Sequence, residues 1–417
     1  MTIAERVQPL VESLLGEPPI SINFWDGSSL GPTESTLALE VSSPDAVKHI
    51  LWAPGDLGVA RAYVSGEIDA TGDVVDVMLA LSQGDATLTG LAKSLPSVLG
   101  SAKSLGLIGG PPAVPDIEYQ PPLLGAHSRK GDADAISHHY DVSNDFYELV
   151  LGDAMTYSCA LFETPETSLV DAQAAKHDNI CRKLGLHTAP GQRLLDVGCG
   201  WGSMAIHAAK HFDAEVTGIT ISKEQAELAQ IRVDQAGVSN LVEIKLLDYR
   251  DVGSQKFDAI SSVGMSEHVG KNNLVDYFKV LKTALRPEGR LLNQAISMIG
   301  GTKLSSRSFM YRYIFPGGEL IDIGDSLDAM QQAGFEIRDV ESRREHYAMT
   351  LRRWIANLEA NWDEAVELVG LERARAWKLY MAASAVGFID AGLGLHQALG
   401  VVDRSDGSSG MPLVRPV

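Results

Sequence analysis

From residue 193 to residue 296, short apolar runs alternate with stretches whose apolar residues recur every three or four positions. Arg193–Val197, Glu215–Ile221, Val242–Leu247, Phe257–Val263 and Arg290–Ile296 read as buried strands. Ser203–His211 and Lys223–Ala236 carry the helical period between them. Strands alternating with helices imply an α/β fold, a mainly parallel, doubly wound sheet covered on both faces. Upstream, Ile3, Val7, Leu10, Val11 and Leu14 have helical spacing, Thr36–Val41 reads as a strand and Pro44–Trp52 as a helix. Together these make a small α+β N-terminal domain over residues 1–82. Residues 83–134 are rich in Gly, Pro, Ser and Ala and read as a linker holding one helix, Leu88–Leu107. The α/β domain occupies residues 135–404; its stretch 354–400 reads as helical throughout, and residues 405–417 read as a flexible tail.

Composition narrows the function. With 45% hydrophobic and 21% charged residues, the 417-residue chain has the balance of a folded globular protein with room for two domains. A net charge of −19 argues against nucleic acid and against broad attachment to anionic lipid, so any membrane contact is expected to be local. Three cysteines, Cys159, Cys181 and Cys199, make no disulfide framework and show no zinc-type spacing, so no metal is expected. No apolar run is long enough to span a membrane, and Met1–Leu15 carries acids where a signal peptide would be apolar; a cytoplasmic protein is expected.

The strongest local signal is Leu194-Leu195-Asp196-Val197-Gly198-Cys199-Gly200-Trp201-Gly202, placed at a strand-to-helix turn. Glycines there let backbone approach a ligand closely. The spacing is Gly-x-Gly-x-Gly, not that of a pyrophosphate loop. Asp196 would repel a pyrophosphate but suits a cationic sulfonium carrying an ammonium group. After the second strand, Thr220, Ser222 and Gln225 offer hydroxyls and an amide for a ribose. After the third, Asp248-Tyr249-Arg250 offers an acceptor and a flat group for adenine; a turn or cap role for Asp248 is an equal alternative.

These blocks resemble the cyclopropane-fatty-acyl-phospholipid synthase family of S-adenosylmethionine-dependent methyltransferases. The resemblance continues upstream in His139-Tyr140-Asp141-Val142-Ser143-Asn144-Asp145-Phe146-Tyr147 and Met155-Thr156-Tyr157-Ser158-Cys159-Ala160. Downstream it includes Met265-Ser266-Glu267-His268-Val269-Gly270, Tyr313-Ile314-Phe315-Pro316 and His346-Tyr347-Ala348-Met349-Thr350-Leu351. It implies a Rossmann-like class I methyltransferase domain with S-adenosylmethionine touching Tyr157, Ser158, Gly198, Gly200, Thr220, Gln225, Tyr249 and Arg250. Asp196, Gly202, Ser222 and Asp248 complete the expected cofactor set.

The implied reaction is transfer of a methyl carbon to the cis double bond of an unsaturated fatty acyl chain in phospholipid, through a carbocation. Such chemistry needs a held substrate, a dry site and a base that does not trap the cation. The resemblance implies a bound bicarbonate as that base, held by Cys159, Glu267, Tyr347 and the backbone near Ile296. Each has a plainer reading: Cys159 as a small buried apolar residue, Glu267 as an acid at a helix start. One position departs from the pattern. Cyclopropane-forming members carry His where this chain has Gln294, and an amide hydrogen-bonds an anion without titrating.

Gln294 is read as marking the actinobacterial subgroup whose product is a methylene branch, which a separate reductase converts to a methyl branch; the alternative product is a cyclopropane. Phe309, Met310, Tyr313 and Phe315 are candidate tunnel residues or plain core. Arg129, Lys130, Arg352 and Arg353 are candidate headgroup contacts. The resemblance also implies a homodimer at the inner face of the membrane. A rival reading is a methyltransferase acting on a soluble small-molecule nucleophile.

Overall fold

The computed structural model describes residues 1–82, 110–120, 142–253 and 255–414. The expected linker helix, the Arg129–Lys130 pair and the segment His139-Tyr140-Asp141 lie outside the described residues. Contacts gather the chain into two units that are not continuous in sequence. One is Met1–Leu123, Ser305–Pro316 and Leu358–Val386; the other is Leu124–Leu304, Gly317–Asn357 and Gly387–Val417.

The first unit opens with α1 (Ile3–Leu15), started by a reciprocal cap in which Thr2 Oγ1 accepts from Glu5 N and Glu5 reaches back to Thr2 N. Strands β1 (Ser21–Phe24), β2 (Ser29–Leu30), β3 (Ala38–Val41) and β4 (Ile68–Thr71) form a sheet in the order β2-β1-β3-β4. Helices α2 (Pro44–Trp52), α3 (Asp56–Val64) and α4 (Val74–Ser82) complete this part. Ala4, Val7, Ile22, Phe24, Val41 and Ala62 form its core. The Glu118 carboxylate is buried within the same unit, where Arg61 grips both oxygens at 2.7 Å and Tyr313 Oη donates at 3.0 Å. Tyr313 and Phe309, tunnel candidates in the sequence, are buried here among aromatic neighbours.

The second unit begins its described part with α5 (Asn144–Leu151) and α6 (Leu169–Leu184), the latter capped by Ser168 and stopped by Gly185 in the left-handed region. Then follow β5 (Arg193–Val197), α7 (Ser203–Phe212), β6 (Glu215–Thr220), α8 (Lys223–Gln235), β7 (Val242–Leu246) and β8 (Phe257–Val263). A short α9 (Ser266–Val269), α10 (Leu274–Ala284) and a long β9 (Leu285–Ser297) come next. After the small hairpin β10 (Thr302–Lys303) and β11 (Glu319–Leu320) lie α11 (Ile323–Gln332), β12 (Glu336–Ser342) and α12 (Arg344–Ala360). The chain then returns to the first unit for α13 (Trp362–Val369) and most of α14 (Leu371–Ile389), and the final strand, β13 (Gly394–Val401), belongs to the second.

The seven-stranded sheet runs β12-β13-β9-β8-β5-β6-β7. From β9 to β7 neighbours are parallel, while β13 runs antiparallel to β9 and to β12. Alternate residues of a strand leave opposite faces: Leu194, Ala259 and Leu292 join one apolar cluster with Ile180, Leu184 and Ala208. Leu195, Ile260 and Leu291 join the other with Phe278, Leu281 and Met330. Burying each such leucine is worth roughly 1.5–3 kcal/mol, which fixes the sheet between its two helical layers. The connection reverses direction beside β5, and in open α/β sheets that crevice at the carboxyl ends of the strands is where ligands bind.

One expectation fails. Residues 354–400 are not helical throughout: 394–401 is a strand, and six of its eight residues are buried, so it shows no polar alternation to mark it. Among the described residues no helix is long and apolar enough to cross a membrane.

Candidate active site

The turn after β5 builds the floor of a cavity of about 520 Å3. Gly198 N and Cys199 N both donate to Ile219 O at 2.9 Å, tying the turn to β6. Gly198 has φ +72°, and a Cβ there would stand 2.3 Å from Met265 Sδ. Gly200 has φ +54° and open space where its Cβ would be, so backbone faces the cavity bare. Gly202 does not line the cavity; it starts α7 where a Cβ would meet Ala229 of α8 at 3.3 Å. Its role is to let two helices approach.

Every other expected cofactor residue lines this cavity: Tyr157, Ser158, Asp196, Gly198, Gly200, Thr220, Ser222, Gln225, Asp248, Tyr249 and Arg250. Asp196 is buried; Oδ1 accepts from Ser261 Oγ at 2.7 Å, and Oδ2 has no partner among the described residues. Burial pushes this carboxyl up to about 6. An orphaned, buried carboxylate oxygen beside bare backbone fits a cationic ligand. Thr220 Oγ1 donates to Gln225 Oε1 at 2.8 Å, which turns the Gln225 amide nitrogen away from it. Ser222 caps α8 by accepting from Gln225 N. Asp248 serves as a cap, accepting from Arg250 N, and both its oxygens are also gripped by the Arg250 guanidinium. That guanidinium lies 5.5 Å from the Tyr249 ring centre.

Sequence reasoning missed Lys176. Its ammonium is buried on the cavity wall, donating to Ser158 Oγ at 3.0 Å with His177 Nε2 at 3.1 Å, and burial lowers it to about 7. The signal available was register: Lys176 stands four residues from both Ala172 and Ile180 on the buried face of α6.

The expected catalytic residues do not line this cavity; they stand behind its wall. Cys159 follows the lining pair Tyr157–Ser158, fully enclosed, its thiol 3.2 Å from Ala160 O and 3.8 Å from Arg343 O and pushed up by burial to about 12. Glu267, in the first turn of α9, and Ile296 are brought together: Ile296 N donates to Glu267 Oε1 at 2.8 Å. The backbone expected to hold an anion is thus spent on the glutamate. Glu267 Oε2 is buried without a partner among the described residues, and burial pushes the carboxyl up to about 7. Both residues border a void of about 10 Å3, room for one water. Tyr347 stacks on Phe388 at 4.7 Å and meets Trp354 edge-on, and Trp354 in turn packs on Tyr157. Gln294 Oε1 accepts from Gln397 Nε2 at 2.9 Å.

Residues 127–398 match the family described as mycolic acid cyclopropane synthetase. The chain is 42% identical over 409 residues to a probable fatty acid methyltransferase of Mycobacterium tuberculosis, covering 95% of this chain and 94% of that one. It is 33% identical over 350 residues to the cyclopropane-fatty-acyl-phospholipid synthase of Escherichia coli K12, covering 84% of each. The crystal structure of mycolic acid cyclopropane synthase CmaA1 complexed with SAH and CTAB superposes with a TM-score of 0.60 at 32% identity, over 66% of this chain and 99% of that one.

Proposed function

The chain belongs to the mycolic acid cyclopropane synthetase family and is an S-adenosylmethionine-dependent methyltransferase; from that premise we propose that it alkylates the cis double bond of an unsaturated acyl chain in phospholipid at a membrane surface. The bound donor supplies an electrophilic methyl carbon. Asp196 Oδ2 meets its cationic amino end, Thr220, Ser222 and Gln225 hold the ribose, and Asp248, Tyr249 and Arg250 flank the adenine. Tyr157 and Ser158, anchored by Lys176, close the side toward the acceptor.

The observation that carries the acyl reading is the character of the groups behind the wall. A thiol pushed up to about 12 and an amide are uncharged at neutral pH, and burial keeps part of a carboxyl near 7 protonated. None of them is a strong nucleophile, which is what a carbocation on the acyl chain requires. Addition of the methyl carbon to one alkene carbon leaves the other cationic. Ring closure with loss of a methyl proton gives a cyclopropane. A hydride shift onto the cationic carbon followed by loss of a methyl proton gives a methylene branch.

In this reading the proton passes to an oxyanion base, with bicarbonate as the candidate held by Cys159, Glu267, Tyr347 and Gln294. Gln294 favours the branch, and a separate reductase then saturates it. The test is lipid analysis of a heterologous host expressing the protein alone. Proton NMR is expected to show an exocyclic methylene in chains one carbon heavier; a cyclopropane as sole product overturns the branch, and unmodified chains overturn the acceptor.

A further inference from the structure

Gln294 of β9 lies opposite Gln397 of β13 in the antiparallel register, and Gln397 reaches Lys183 of α6. All three side chains are buried. Lys183 Nζ is 2.9 Å from Gln397 Oε1, and Gln397 Nε2 is 2.9 Å from Gln294 Oε1. Lys183 is also held by two carboxylates, Glu341 at 2.5 Å and Asp339 at 3.3 Å.

An amide can present either end to a neighbour; an ammonium can only donate. Held between carboxylates, Lys183 therefore forces Gln397 to turn its oxygen inward and its NH2 toward Gln294. Gln294 must then give its oxygen to Gln397, and the end it keeps is its own NH2. Gln294 is the parallel partner of Val263, a residue that lines the donor cavity. Two residues on, Ile296 holds Glu267. From Lys183 the polar chain also runs through Glu341 to Arg343, whose carbonyl lies 3.8 Å from the Cys159 thiol.

We propose that Lys183 and Gln397 are positioning residues that lock Gln294 as a hydrogen-bond donor toward the reaction space. This deepens the acyl-chain alkylation reading and rests on it. A group that offers only N–H does nothing for a carbocation; it suits the oxyanion that takes the proton. Because neither amide titrates, the donor persists where an imidazole would lose its charge.

The test compares two substitutions with opposite expectations. Gln397→Glu keeps the shape and the bond to Lys183 but offers only oxygens, so Gln294 must turn round and lose its donor. Gln397→Met leaves Gln294 unheld but able to donate. Turnover on cis-monounsaturated phospholipid vesicles is expected to fall roughly 100-fold in Gln397→Glu and only about tenfold in Gln397→Met. Affinity for S-adenosylhomocysteine is expected to stay unchanged in both. A purely structural pair predicts the reverse order, and that order, or Gln397→Glu as active as the wild type, overturns the proposal. Adding Gln294→His to Gln397→Glu is expected to restore turnover on the acid side only. A neutron structure of the wild-type protein reads the lock without any activity: deuterons on the Gln294 nitrogen facing Gln397 overturn it whatever the acceptor is. A wild type that binds S-adenosylhomocysteine yet modifies no acyl chain counts against the acyl reading alone.

Discussion

Asp196 sets the electrostatics of the donor cavity, because one of its oxygens is bonded by Ser261 and the other is buried without a hydrogen-bond partner among the described residues. Its folded-state value is raised from 3.8 to about 6, so the ligand-free fold prefers the protonated form. That contribution to stability is complete below 3.8 and is lost as pH rises through about 6. The cationic donor needs the ionised form, so affinity for S-adenosylmethionine is expected to climb through about 6 and then level, as calorimetry across pH would show. Asp196→Asn is expected to weaken binding by about 1.5–3 kcal/mol while leaving the melting temperature of the ligand-free protein undiminished. Lys176 has the opposite sign. Its folded value is lowered from 10.5 to about 7, so its contribution is present above 10.5 and lost as pH falls through 7. Lys176→Met is expected to melt higher than wild type on the acid side of 7 and to bind the donor less tightly, since Ser158 loses its anchor; equal melting curves at every pH contradict this. Asp196 was legible because it stands two residues before the first glycine. Lys176 was not, because a lysine carries no message until its helix face is known.

The strand-turn-helix over 193–212 separates two uses of glycine. Gly198→Ala places a methyl group on Met265 in a left-handed backbone, at a cost of about 1–3 kcal/mol; a lowered melting temperature together with lost donor binding is expected. Gly200→Ala meets open space, so the strain of its positive φ alone, about 1 kcal/mol, lowers stability while the new methyl group obstructs the ligand. Thermal melts beside calorimetry check the pair, and equal stability loss with equal affinity in both contradicts the assignment. The parallel strands were readable because each is an apolar run ended by turn residues. Strand β13 was not, since a strand largely buried on both faces has no alternation and follows a long helix after only a four-residue turn. Its misreading hid Gln397, and with it the polarity of Gln294.

Over the whole molecule, the donor cavity lies within one unit, while the aromatic residues Phe309 and Tyr313 belong to the other, with the buried Arg61–Glu118 pair. Spacing along the chain announced the glycine turn, but no spacing announces that Glu267 and Ile296 meet, or that Cys159 lies beside Arg343; only the closed sheet makes them neighbours. The net charge of −19 opposes broad electrostatic attachment to anionic lipid. The most direct measurement follows the methyl carbon itself. Purified protein is incubated with S-adenosylmethionine carrying a 13C methyl group and with vesicles of cis-monounsaturated phospholipid. The label is expected inside the acyl chain, at the former double bond, and to be absent from vesicles of saturated lipid. Label in the headgroup, in a water-soluble product or in saturated chains would contradict the account.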